Sequence, residues 1–141
     1  MFMNRKQKIR DIMFRTEMLR KRRLQPVWAE KGLIAGQPRV LTQLLIKDHI
    51  TQKELSDASC IDPATLSRAL DRLEDMGYIT RNENPGCRRS FLIALTDEGK
   101  VMAESVTGVF GEIEERMFAG FTEEEMDVLY GLVERIYKNL K

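Results

Sequence analysis

The sequence predicts a mainly α-helical fold carrying one small β-hairpin, and three observations predict it. Apolar residues recur at helical spacing towards both ends of the chain. Two helix starts stand close together after residue 50, and the period turns from helical to strand-like between Tyr78 and Leu95. At 141 residues the chain is about one domain long and buries enough surface to fold without a metal or disulfide staple. Residues 1–141 are therefore expected to form a single domain. A composition that is 43% hydrophobic and 32% charged suits a globular, helix-rich protein.

The elements follow in order. Ile9, Ile12, Met13, Thr16 and Leu19 keep helical spacing, so a first helix is expected from about Asn4 to Gln25, ending before Pro26, which a helix interior resists. Gly36, Gln37 and Pro38 suit a loop and helix start, with Val40, Leu41, Leu44 and Leu45 as the buried face of a second helix. Thr51 and Glu54 have capping-box spacing, opening a third helix through Leu55 and Ala58 that ends near Cys60. Asp62 and Pro63 form a second start signal, an N-cap acceptor followed by a residue with a pre-set φ, and the fourth helix runs to Met76 and stops at Gly77. Tyr78 to Arg81 and Ser90 to Leu95 suit two strands around a turn-rich Asn82–Gly86. Thr96 with Asp97 and Glu98 caps a fifth helix with apolar Met102, Val106, Val109, Phe110, Ile113 and Met117, closed by Gly120. Thr122 and Glu125 start a sixth, whose stripe comprises Met126, Leu129, Tyr130, Val133, Ile136, Tyr137 and Leu140.

Composition removes several function classes. The opening MFMNRKQKIR has no apolar signal-peptide core, and no segment approaches the roughly 18 apolar residues of a membrane span, so a cytoplasmic protein without a membrane partner is expected. Cys60 and Cys87 are far apart and His49 is the single histidine, which leaves no zinc-ligand spacing and no expected metal or cofactor. With neither a Ser/His/Asp set nor a phosphate-cradling glycine loop, an enzyme is not expected. Net charge is only +1, but residues 1–31 carry ten Lys/Arg against three Asp/Glu, whereas residues 96–141 carry five against eleven. That polarity suits a molecule with one end facing a polyanion.

Two helices joined by about four residues and followed by a hairpin make a winged helix-turn-helix, with the hairpin as wing. At about 100° per residue, Leu66, Leu70 and Leu73 of the fourth helix fall on one side and Ala64, Arg68, Asp71 and Asp75 on the other, flanked by Ser67 and Arg72, with Thr65 further round. A helix entering a major groove needs a small leading end, short hydroxyls and arginines, and Asp62, Ala64, Thr65, Ser67, Arg68 and Arg72 supply them. The start of the third helix would meet a phosphate, with Thr51, Gln52 and Lys53 as donors. Arg88 and Arg89 at the wing would reach the minor groove. Arg68 and Arg72 also suit an ordinary solvated helix face, and Arg89 a solvated turn. The helical stripes outside the winged helix exceed what it can cover, which favours two-fold pairing; a dimer would set two recognition helices about 34 Å apart on a two-fold site.

The run DPATLSRALDRLEDMGYITR, followed after a turn by CRRSFLIALTDEGK, resembles the recognition helix, wing and following helix start of the MarR family of bacterial transcription regulators. Members usually carry an Asp two residues before the wing arginine and Leu-Thr six residues after it. Arg89, Leu95 and Thr96 keep that spacing, whereas Cys87 stands at the Asp position. The resemblance implies a winged helix-turn-helix over 36–95, flanked by dimerisation helices over 1–31 and 96–141. It also implies a homodimer on palindromic duplex DNA, usually a repressor, released by a small aromatic effector or an oxidant. The other reading of the fold is a protein-interaction module without sequence-specific DNA binding.

Several single residues have two readings. Cys87 suits either an oxidant-sensing thiol or a tolerated substitution, and Cys60 a small buried apolar residue. His49 suits a surface or capping group. Arg20, Lys21, Arg22 and Arg23 suit an anion site or a solvated helix end. Trp28, Met13 and Met18 suit core packing or an effector pocket.

Overall fold

The computed structural model describes residues 2–141. Among them the elements run α1 (Arg5–Glu30), α2 (Gln37–Ile46), β1 (Ile50–Thr51), α3 (Gln52–Ser59), α4 (Pro63–Asp75), β2 (Ile79–Asn84), β3 (Cys87–Leu95), α5 (Asp97–Met117) and α6 (Glu123–Leu140). The chain divides into two compact units, one ending at Val109 and the other spanning Phe110–Lys141. The larger unit contains a winged helix-turn-helix, as the sequence predicts.

Its core is built where α2, α3 and α4 meet a three-stranded antiparallel sheet of order β1-β3-β2. Val40, Leu41 and Leu44 of α2, Leu55 of α3, and Leu66, Leu70 and Leu73 of α4 are buried together with Ile79 of β2 and Ile93 of β3. Each such side chain contributes about 1.5–3 kcal/mol when fully buried. The apolar spacing of α4 thus fixes which side faces the core and leaves Ala64, Arg68, Asp71 and Asp75 outside. Register places Ile50 opposite Ile93 and Ile79 opposite Leu95, with a shift between Glu83 and Asn84.

Local hydrogen bonding explains the helix limits. Thr51 and Glu54 form the reciprocal capping box of α3, and Asp62 accepts from the Thr65 N–H at the start of α4 with Pro63 in its first turn. Helix α4 ends in a Schellman motif: the Gly77 N–H donates to the Glu74 carbonyl and the Tyr78 N–H to the Leu73 carbonyl, with Gly77 at φ +81°.

Five expectations need correction. Helix α1 continues through Pro26 to Glu30. Its stop is a second Schellman motif, in which the Gly32 N–H donates to the Ala29 carbonyl and the Leu33 N–H to the Trp28 carbonyl. Pro26 costs one backbone bond, but the turns beyond it are closed by that motif, so the basic run Arg20–Arg23 lies inside the helix and not at its end. The wing turn is shorter than Asn82–Gly86, because pairing extends the strands to Asn84 and Cys87. Ile50 and Thr51 form a strand, β1, where the sequence predicts none. Leu45 is exposed, as is Ile46 after it, since Val40, Leu41 and Leu44 already complete the inward face. Cys60 is exposed and caps α3 in the left-handed region at φ 55°, because the turn into α4 demands that backbone and leaves the thiol outside.

In the unit Phe110–Lys141, Thr122 and Glu125 form the capping box of α6. No residue of α6 is buried, and Val128, Tyr130, Leu132, Val133, Ile136, Tyr137 and Leu140 are exposed. On α1 the spaced residues Ile9, Ile12, Met13 and Leu19 are likewise exposed. Among the described residues no helix is long and apolar enough to cross a membrane, and no group of three His, Cys, Asp or Glu is placed to hold a metal ion.

Candidate nucleic-acid interface

The start of α4, the start of α3 and a cleft between α3 and the hairpin gather most of the side chains that the sequence singles out. At the leading end of α4, Asp62 and Ala64 are exposed and Thr65 half-buried. Asp62 Oδ1 accepts from the Thr65 N–H at 3.0 Å and Oδ2 from the Thr65 hydroxyl at 2.6 Å. The Thr65 hydroxyl and amide hold the Asp62 carboxyl below the usual carboxylate range, because both bonds favour the ionised form. Asp62 and Thr65 are therefore engaged with each other, and the groups facing outward along the helix are Ala64, the half-buried Ser67, and the exposed Arg68.

The start of α3 forms the second element. Thr51 donates its N–H to Glu54 Oε1 at 3.4 Å and accepts from the Glu54 N–H at 3.1 Å. The Thr51 backbone, then its hydroxyl, depress the Glu54 carboxyl. With Thr51 committed to the cap, Gln52 and the exposed Lys53 are the free donors there. A cleft of about 380 Å³ is lined by Thr51, Gln52 and Lys53 of this helix start together with Arg81, Arg89 and Ser90 of the hairpin. The structure thus brings Arg89 beside the positive end of α3, where helix dipole and guanidinium add. Arg88 is exposed on the same strand but does not line that cleft.

At the hairpin turn, the Asn84 side chain holds the two strands together. Its carbonyl accepts from the Gly86 N–H at 3.0 Å and its amide donates to the Ser90 hydroxyl at 2.9 Å, closing the turn from both sides. Cys87 is exposed, and the Arg89 backbone N–H, followed by the Ser90 hydroxyl, draws its thiol below the usual value.

Arg72 is exposed but faces a different feature. It lines a cavity of about 910 Å³ with Lys21, Arg22, Met18, Trp28, Leu33 and Ile34. Met18 and Trp28 of the expected pocket group are there, whereas Met13 is exposed elsewhere on α1. His49 is exposed, at φ 54°, with its N–H donated to Asp48 Oδ1 at 3.0 Å.

Two arginines escaped sequence reasoning. Arg39 donates Nε to the Ser59 carbonyl at 2.7 Å and Nη2 to the Ala58 carbonyl at 3.2 Å, satisfying the end of α3. Arg81 pairs with Asp71 and Glu74 of α4. Neither partnership has a sequence signature, since each joins residues brought together only by packing.

Comparison with known proteins gives this geometry a family. The model of the MarR family matches residues 33–91. The HTH-type transcriptional regulator PecS of Dickeya dadantii (strain 3937) is 33% identical over 129 residues, covering 89% of this chain and 78% of PecS. Among solved structures, a MarR family transcriptional regulator from Listeria monocytogenes complexed with 26mer DNA is 26% identical. Its TM-score is 0.85, and the match covers 94% of this chain and 87% of that one. A mutant MarR from E. coli complexed with operator DNA is 25% identical with a TM-score of 0.80, covering 92% and 93%. Capped helix pair, wing with Arg89 at its inner cleft, and a relative matched over most of its length converge on one assignment: the chain belongs to the MarR family of transcription regulators.

Proposed function

We propose that this regulator binds a palindromic duplex site as a homodimer, represses from it, and leaves it when a small anionic aromatic molecule binds. The observation that carries DNA binding is the cleft joining Gln52 and Lys53 to Arg89, beside the outward row Ala64, Ser67 and Arg68. In this reading α4 enters the major groove, Arg68 and Ser67 contact base edges, and Lys53, Gln52 and Arg89 hold phosphates or the minor groove. Two relatives of the same fold carry DNA in their structures, which supports it. Residues 36–95 then serve as the DNA-binding part, with 1–31 and 96–141 as dimerisation helices. The exposed Tyr130, Val133, Ile136 and Tyr137 of α6 and Ile9, Ile12 and Leu19 of α1 support pairing, because so many apolar side chains are rarely left to solvent.

The cavity beside Arg72 suits an effector that is both flat and acidic, with Trp28 and Met18 as apolar walls and Lys21, Arg22 and Arg72 as counter-charges. Arg72 belongs to α4, so a ligand that engages it acts on the reading helix directly. Selection from random duplexes should return a two-fold motif, and affinity should fall with salt at a slope of about 0.9 per neutralised phosphate. Arg89→Ala should weaken all sequences alike, whereas Ser67→Ala and Arg68→Ala should alter preference. Identical preference profiles for the three variants, or no salt-dependent binding by the unmodified protein, would remove this reading.

A further inference from the structure

One guanidinium ties the wing to the recognition helix. Arg81 Nη2 donates to Asp71 Oδ1 at 2.9 Å and Nη1 to Glu74 Oε1 at 3.2 Å. The Arg81 side chain is only 19% exposed, against 65% and 43% for its two partners, so the cation is enclosed while the carboxylates reach in from the rim. Asp71 and Glu74 stand three apart on α4 and so share a face. A planar fork can address both at once, as a lysine ammonium cannot with the same geometry. Arg81 sits opposite Ile93, which is buried, and beyond it the ladder shifts register between Glu83 and Asn84. The ion pairs therefore grip the hairpin at the last position before its outer, exposed half.

We propose that Arg81 is a positioning residue for DNA binding. It clamps the first wing strand to α4, so that Arg89 and the Ser67–Arg68 face meet the duplex as one rigid body, and its own charge is engaged by Asp71 and Glu74 in place of a phosphate. This rests on the DNA-binding reading above. Arg81 also borders the cleft that holds Arg89, so the rival role is a direct phosphate contact, and the two roles make opposite predictions.

Hydrogen exchange of the wing amides is measured in the free, full-length protein, and affinity for the selected duplex by fluorescence anisotropy at fixed salt. The variants are Arg81→Ala, Asp71→Asn/Glu74→Gln, Arg89→Ala and Arg81→Ala/Arg89→Ala. A clamp predicts faster wing exchange both in Arg81→Ala and in the carboxylate pair variant, with α4 exchange and the melting profile confirming a folded chain. It predicts affinity about fivefold weaker in Arg81→Ala, the scale of two partly exposed ion pairs. In the Arg89→Ala background it predicts no further loss, because the anchor being positioned is gone. Unchanged wing exchange in Arg81→Ala overturns the proposal, as does undiminished affinity, or a full additional loss in the Arg89→Ala background. A wild-type protein that binds no duplex removes the DNA-binding reading and this one together, whereas wild-type binding unaffected by Arg81→Ala removes this one alone.

Discussion

Gly99, in the first turn of α5, has no room for a side chain. A Cβ built there would stand 1.9 Å from the Tyr78 carbonyl oxygen and 2.9 Å from the Tyr78 carbonyl carbon. Relief needs a separation of at least 3.0 Å, so backbone must move by about 1 Å, and the obstacle is main chain that no rotamer change can clear. The same oxygen accepts from the Thr96 N–H at 3.0 Å, so the movement also strains that bond. Gly99→Ala therefore costs about 1–3 kcal/mol in overpacking and about 1 kcal/mol for the strained bond, offset by a helix-propensity gain of about 1 kcal/mol. The net is a loss of about 2 kcal/mol. With a urea m-value of about 2 kcal/mol/M the midpoint should fall by about 1 M. Gly108 lies in the same helix with nothing within 4 Å of its built Cβ, so Gly108→Ala should raise the midpoint by propensity alone. Opposite signs for one substitution at two sites of one helix test the packing directly. A Gly99→Ala protein as stable as the unmodified one would refute the close approach of Tyr78 to α5.

Asp62→Ala should lower the urea midpoint at neutral pH, and Asp62→Asn should lower it less, since an amide still caps α4. The folded carboxyl titrates below its usual value. The advantage of its ionised form is thus complete above that usual value and lost as pH falls through the lowered one, so the Asp62→Ala difference should narrow in strong acid to that of a neutral cap, close to the Asp62→Asn value. For Cys87, whose thiol is drawn down by the Arg89 amide and the Ser90 hydroxyl, alkylation in a Cys60→Ala background should begin at lower pH than for an unstructured peptide thiol. Replacing Ser90 by Ala should move that onset upward. An onset matching the peptide would show that the turn does not favour the thiolate.

What was legible in the sequence is what local chemistry specifies. Thr51 with Glu54, Asp62 with Thr65, and Thr122 with Glu125 each close hydrogen bonds three residues away, and Pro63 adds a pre-set first turn after Asp62, so the starts of three helices are written where they occur. The spacing of Leu66, Leu70 and Leu73 similarly dictates the buried side of α4, and hence which candidate residues face outward. Pro26 misled because a helix can lose one bond if its later turns are closed, and the closing Gly32 lay six residues further on. Strand β1 was invisible for a different reason: Ile50 and Thr51 are too few to show a period and become a strand only by pairing with Ile93 and Leu92. Arg81 belongs to the same class. Its partners lie 10 and 7 residues away, across a helix end and a strand start, and only the docked hairpin makes them neighbours.

The Leu95-Thr96 pair that carries part of the family resemblance is explained by a joint, not by a ligand contact. Gly77 and Tyr78 donate their N–H groups back to α4 in the Schellman motif, and their carbonyls are taken from the other side. The Thr96 hydroxyl donates to the Gly77 carbonyl at 2.6 Å, the Thr96 N–H to the Tyr78 carbonyl at 3.0 Å, and the Gly99 N–H donates to the Thr96 hydroxyl at 3.0 Å. One threonine thus closes the end of the recognition helix and opens α5 at the same time. Leu95 is buried beside it, with its N–H donated to Asp48 Oδ1 at 3.0 Å, which ties the root of the wing to the loop after α2. Because each of these bonds engages a main-chain group at the joint, α4 cannot rotate about its end without breaking several together, each worth about 1 kcal/mol net and more if left unpaired. A side chain chosen for DNA contact would tolerate exchange among cations. A residue that must supply a hydroxyl to donor and acceptor at once, inside a turn where Gly99 is pressed against Tyr78, does not, and that constraint accounts for a threonine at position 96 without reference to DNA.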